Sequence, residues 1–427
     1  MDFGEEYSAE KVPDHRLIGW PRVCAVAAMV SFSLPTFVTG LEVAHALPGQ
    51  AAIIALFAGS LLIALIGAVM GAIGAKTRLN SYLLVRIAFG DSGARLVNLA
   101  FAVSLLGWFG VNINLFTDAV SGLSESLFNN TPSPIFLAVL ASACMTATTL
   151  VGFRAINVLS VLLVPVLAVV TGLLAAWSLS HSSIDAALAL DRPASLTTGE
   201  GISAIVGAII IGAIILPDIT RFCRHWTGAL YTSLIAYVVV QFAVMLVAAL
   251  SGAVAGKTDI LAILLDAHLG IGAFVIVIAG SWVLNSLNLY STVLSVGASV
   301  DGLNRTWLTL GLGAFGVIAA LMNILDSFIT FLLYLSIIFI PVAGVIIVDF
   351  FVVQRERYQH PPLATNPAWN FRGFAAWGVS AEFCLLASEG VIPALSNIPA
   401  IDAMMLSALI YLALSWRSRS PRAEARA

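Results

Sequence analysis

Charged residues are scarce in this chain. Asp, Glu, Lys and Arg make up 10% of its 427 residues, 60% are hydrophobic, and the mean hydropathy is +0.99. A chain of this length could form two or three soluble domains, but this composition cannot clothe their surfaces, so its solvent is lipid. Cysteine is scarce too. Cys24, Cys144, Cys223 and Cys384 show no CxxC or Cys/His spacing, so neither a disulfide framework nor a zinc site is expected. No HExxH, GxSxG or paired-Asp motif lies within a span, which weighs against an intramembrane enzyme, and the repeated polar rings of a channel are missing. The net charge of −3 carries no clustered basic patch, so nucleic acid is not an expected partner.

What fills the chain is a near-continuous series of apolar runs long enough to span hydrocarbon. About twelve are expected, over 23–46, 51–75, 94–121, 134–153, 156–179, 201–219, 227–255, 270–298, 305–323, 326–352, 372–393 and 398–416. The first 20 residues are polar and acidic, so no cleavable signal peptide is expected and the first span directs insertion. With both ends cytoplasmic, 18 of the 20 Lys and Arg fall on the inside, only Arg192 and Lys257 falling outside. That bias follows the positive-inside rule. The expectation is an all-α, multi-pass protein of the inner (cytoplasmic) membrane. Cytoplasmic tails at 1–22 and 417–427 flank a single transmembrane domain over 23–416, whose partner is the lipid bilayer.

Two short segments are too short to cross: 79–89 after the second span, on the inner side, and 259–268 after the seventh, on the outer side. Each follows the second helix of a five-helix block, as inverted copies would. This places repeat one at about 23–179, repeat two at about 201–352 and two extra helices at about 372–416. The first helix of each block carries helix breakers in mid-span: Ser33-Leu34-Pro35-Thr36 with Thr39-Gly40 in one, and Gly207, Gly212 and Pro217 in the other. Such breaks free carbonyls and helix ends to face a buried cavity.

Polar side chains mark where that cavity should be. Ser281, Asn285, Asn288 and Thr292 share one face of the eighth span, and an Asn in hydrocarbon leaves up to four hydrogen-bonding positions unmet. Ser104, Trp108 and Asn112 line up in the third span within Gly107-Trp108-Phe109-Gly110, where the glycines would let a flat ring lie on the indole. Asp218 and Arg221 read as a structural pair, and Asp349 and Lys76 sit near inner interfaces. Glu42 and Asp118 lie deeper without a sequence-local partner and are candidates to carry a coupling proton.

These residues resemble the nucleobase:cation symporters, which include bacterial cytosine permeases and fungal purine-cytosine permeases. The likeness runs through Ile73 to Thr77, Gly107 to Val111, Val158 to Val161 with Val164-Pro165, Asp218 to Phe222, Trp282 to Tyr290 and Pro341 to Asp349. It implies ten helices in two inverted five-helix repeats, a LeuT-like transporter fold, plus two C-terminal helices. It also implies alternating access around a site between spans one, three, six and eight. By resemblance, a base stacks on Trp108 and is hydrogen-bonded by span-eight asparagines, Asn285 and Asn288, with Ser104, Asn112, Ser281, Gly207, Ala208 and Ile209 as further site positions. Bacterial cytosine permeases have Gln where this chain has Leu105, and a serine and an aromatic where it has Ala208 and Ile209. Sodium-coupled members carry span-eight hydroxyls where it has Val283 and Leu284, which weakens a sodium site near Ala279, Val283 and Leu284. The expectation is therefore symport of a nucleobase or related heterocycle, with H+ favoured over Na+ as coupling ion and no other cofactor. Hydroxymethylpyrimidine, allantoin or an amino acid on the same fold is the alternative.

Overall fold

Pro35 lacks a backbone N–H, so a helix running through it loses a hydrogen bond. In the computed structural model the first span breaks just before it. Helix α1 (Trp20–Ser31) and helix α2 (Leu34–Ala46) meet at 53°. The structure describes residues 11–416 apart from 184, 187–188, 190–192, 271, 273–274, 301, 323–326 and 360–365. Arg192 and the basic tail with Arg417, Arg419, Arg422 and Arg426 lie outside the described residues.

The chain continues through α3 (Gly49–Thr77), the short α4 (Ser81–Phe89), α5 (Asp91–Phe128), α6 (Pro134–Val151) and α7 (Phe153–His181). The second half repeats the pattern. Helix α8 (Thr198–Ile214) is interrupted at Ile215 and Leu216 before the single turn α9 (Pro217–Thr220), and α10 (Trp226–Ala255) is followed by the short α11 (Ile260–Asp266). Helices α12 (Ser281–Ser299), α13 (Arg305–Leu321) and α14 (Phe328–Val353) complete it. A single turn α15 (Arg355–Gln359) leads to α16 (Phe371–Ser388) and α17 (Pro399–Trp416). Among the described residues each of the twelve expected spans is largely helical, the eleventh ending at Ser388, and the two expected short segments form α4 and α11. The second break falls at Ile215-Leu216, so Pro217 opens the new turn while Gly207 and Gly212 stay inside α8.

Glycines set the closest helix contacts. A Cβ on Gly207 would lie 1.7 Å from the Leu332 carbonyl oxygen, one on Gly40 would lie 2.7 Å from Met245 backbone, and one on Gly110 2.7 Å from that of Ala319. No side chain fits there, so α8 meets α14, α2 meets α10 and α5 meets α13 backbone to backbone. Helix α5 also packs along α12, and α3 along α8. These contacts seat α2 on α10, and α8 on α3 and α14, with α5 running along α12.

The end of the bundle that carries Arg78, Arg86 and Arg221 is tied by polar bonds. Asn80 caps α4, and the Asp218 carboxylate accepts the Ser81 N–H at 2.7 Å, docking the N-terminus of α4 on α9. Arg221 Nε donates to the Asp218 carbonyl at 3.2 Å, and Lys76 sits over the Trp226 ring. Arg86 binds Asp91 through two hydrogen bonds, which push its guanidinium above its ordinary pKa while burial pulls the other way. Asp349, fully buried, accepts hydrogen bonds from Tyr358 and Tyr411 at 2.7 Å each and so fastens α17 to the end of α14.

Candidate substrate site

The helix break opens onto a cavity of about 520 Å³. That lies in the range of small-molecule sites. Ser33, Pro35 and Thr36 form its wall at the break, where the Ser33 and Thr36 hydroxyls pair at 3.1 Å and Thr39 bonds back to the Pro35 carbonyl at 2.8 Å. Trp108 and Leu105 line it from α5, Ala208 and Ile209 from α8, and Leu284 and Asn288 from α12. From that level the cavity runs to the basic end, where Arg22, Asn80, Asp218 and Ser295 border it. On α14, Phe331 and Phe328 meet the Trp108 ring nearly edge-on, with centroids 5.4 and 6.1 Å away, and hold the indole in place.

The sequence-selected site residues divide into two sets. Trp108, Ala208, Ile209 and Asn288 share the cavity wall. Asn112, Ser104, Asn285 and Ser281 are buried off the lined wall. Asn112 Nδ2 turns back to the Trp108 carbonyl at 2.8 Å, and Asn285 Nδ2 reaches the Phe109 carbonyl at 3.1 Å. The Oδ1 atoms of both, with the hydroxyls of Ser104 and Ser281, are buried without a hydrogen-bond partner among the described residues. Gly207 faces α14 rather than the cavity. Thr292 bonds back to the Asn288 backbone carbonyl, and Asn288 lines the cavity with no side-chain hydrogen bond among the described residues.

The coupling-ion candidates lie elsewhere. Glu42, half-buried on α2, and Asp118, exposed on α5, are both absent from the cavity wall. Ala279 belongs to a π-helical turn over Val275–Gly280 that leads into α12, and a Cβ on Gly280 would lie 3.6 Å from the Phe32 carbonyl at the first break. Val283 packs in an apolar cluster with Leu34, Phe37 and Leu167, and Leu284 faces the cavity. Neither offers oxygen to a hard cation. Among the residues that the spacing argument passes over, Tyr237 of α10 and Asn98 of α5 also reach the wall. Asn98 spends its amide on the Ala94 carbonyl at 2.7 Å. A lone tyrosine in an apolar run carries no periodic signal that could have singled it out.

Known proteins resemble this chain along nearly its whole length. Residues 15–412 match the family described as permeases for cytosine/purines, uracil, thiamine and allantoin. The chain is similar to the cytosine permease of Escherichia coli K12, 28% identical over 421 residues that cover 97% of this chain and 95% of that protein. It is also similar to a purine-uracil permease of Arabidopsis thaliana, 24% identical over 73% of this chain and 57% of that protein. Among solved structures it resembles Mhp1, a nucleobase-cation-symport-1 family transporter, in a closed conformation with bromovinylhydantoin bound (TM-score 0.78, 17% identity, 100% and 98% of the two chains). It resembles the inward-facing conformation of Mhp1 as well (TM-score 0.79, 16% identity, 99% and 96%). These likenesses show the fold, and the match over nearly the whole chain shows the family. The chain is a multi-pass membrane transporter, not an enzyme, and it belongs to the family of permeases for cytosine, purines, uracil, thiamine and allantoin.

Proposed function

We propose that this permease imports a nucleobase or closely related flat heterocycle across the cytoplasmic membrane by proton symport, through alternating access. The observation that carries the reading is the juxtaposition, in one cavity among the spans, of the Trp108 indole, Asn288 and the broken first helix. An indole wall suits a planar ring, and an amide supplies both a donor and an acceptor to its edge. In this arrangement Trp108, Asn288, Ala208 and Ile209 contact the ring directly. Asn112 and Asn285, each with a spare Oδ1, become reachable as the helices close around it, while Ser104, Ser281 and Gly207 shape the surrounding contacts. The basic end is cytoplasmic, as the positive-inside rule requires, so a cavity bordered by Arg22, Asn80 and Asp218 is the inward-open state.

Val283 and Leu284 support proton rather than sodium coupling, because apolar side chains stand where a sodium ion needs oxygen ligands. Glu42 and Asp118 are the proposed proton carriers. Binding of labelled bases to purified protein tests the substrate class. Cytosine, a purine or a related ring should bind saturably and amino acids should not; binding of an amino acid with no heterocycle bound would refute it.

A further inference from the structure

The wall of the cavity contributed by α8 and the break after it is apolar up to Asp218: Ala208, Ile209, Ile211, Gly212, Ile215 and Leu216 carry no polar side-chain atom. A polar group does reach the cavity past this wall, from the helix behind it. Helix α10 is π-helical over Leu234–Gln241, and such turns shift side chains out of α register and recur at functional sites. Ser233 Oγ donates to the Ala64 carbonyl at 2.7 Å, which fixes α10 against α3 just before this turn. The Tyr237 ring then packs on Gly67, where a Cβ would lie 2.9 Å from its Cε2, so the ring is clamped where no other residue fits. Its hydroxyl emerges at Gly212, 3.8 Å from where a Cβ would stand.

Tyr237 is 3% exposed and lines the cavity, yet its hydroxyl has no hydrogen-bond partner among the described residues. Buried phenols normally find one. The chain satisfies Tyr358 and Tyr411 in that way, both on Asp349. A phenol left over at a cavity wall is a donor awaiting an acceptor from the cavity.

We propose that Tyr237 is a specificity-determining residue of the transport site, its hydroxyl donating to a ring carbonyl or ring nitrogen on the edge of the substrate that faces α8. This rests on reading the cavity as a base site. Phenols are protonated at neutral pH and act as donors to such acceptors. Gly212 is the window: without a side chain it leaves the path from hydroxyl to cavity open, and a methyl group there would screen the hydroxyl at ordinary contact distance.

The test is counterflow in proteoliposomes, with unlabelled bases competing against one labelled base. Each carbonyl-bearing ring is compared with the matched ring lacking that acceptor. Tyr237→Phe should raise the inhibition constants of carbonyl-bearing rings about three- to tenfold and leave the matched rings unchanged. Gly212→Ala should give the same selective loss, and none beyond it when added to Tyr237→Phe, since both act on one contact. Unchanged constants in Tyr237→Phe, or an equal loss for every ring together with a lower melting temperature, would overturn the assignment and leave the base-transport reading standing. Should Tyr237→Phe not fold, Gly212→Ala decides alone by the same comparison. Wild-type protein that exchanges no base would instead overturn the reading on which this one rests.

Discussion

Trp108 shows how much one side chain contributes and how it can be tested. Its ring is buried against Phe328 and Phe331 yet borders the cavity, so in the proposed site it would serve both packing and ligand. Trp108→Ala should abolish base binding while the protein still purifies as a folded monodisperse species. A packing role alone would lower the melting temperature and keep the dissociation constant. Asn288→Ala should weaken binding by about 1–3 kcal/mol, because a ligand group would lose its partner in a desolvated site. Asn112→Ala should weaken it as well if its spare Oδ1 is used on closure, and an unchanged dissociation constant would remove it from the site. The polar stripe on α12 was legible in the sequence from helical spacing. Its finer orientation was not. Asn285 and Asn288 stand about 60° apart around the helix, and that angle separates a side chain bonded to the Phe109 carbonyl from one facing the cavity. Only the position of the neighbouring helix α5 decides between them.

At the scale of elements, the spans and the two short helices were readable because hydrophobic length and helix breakers act locally. Pro35 marks the first break for that reason. The second break comes a few residues beyond Gly207 and Gly212, since those glycines are kept for other purposes: one lets α8 touch α14, the other opens the wall to Tyr237. Glycine alone cannot say which of these it serves. Gly207→Ala should be among the most disruptive substitutions outside the cavity, since its methyl group would collide with a backbone carbonyl that cannot rotate away. A fall in melting temperature and in folded yield is expected, and wild-type stability would refute the contact. The π-helical turns of α10 and α14, and the one leading into α12, were invisible to pattern reading, because one extra residue per turn leaves the apolar composition unchanged.

For the whole molecule, an inverted arrangement of broken helices around one cavity suits a carrier that exposes the same site to each side in turn. The cavity as it stands borders the basic end, while α14 lies across Trp108. The proposed coupling rests on the missing oxygen ligands at Val283 and Leu284. A pH gradient, acid outside, should drive accumulation of the base, and a sodium gradient alone should not; sodium-driven uptake at constant pH would refute the argument from Val283 and Leu284. The central claim, that this is a carrier for a flat heterocyclic base, is tested most directly by counterflow. Proteoliposomes preloaded with unlabelled cytosine, purines, uracil, hydroxymethylpyrimidine or allantoin are presented with the labelled compound in the absence of any ion gradient. Transient accumulation of at least one heterocycle, lost in Trp108→Ala, is the predicted result. Exchange of an amino acid with no heterocycle exchanged would contradict it.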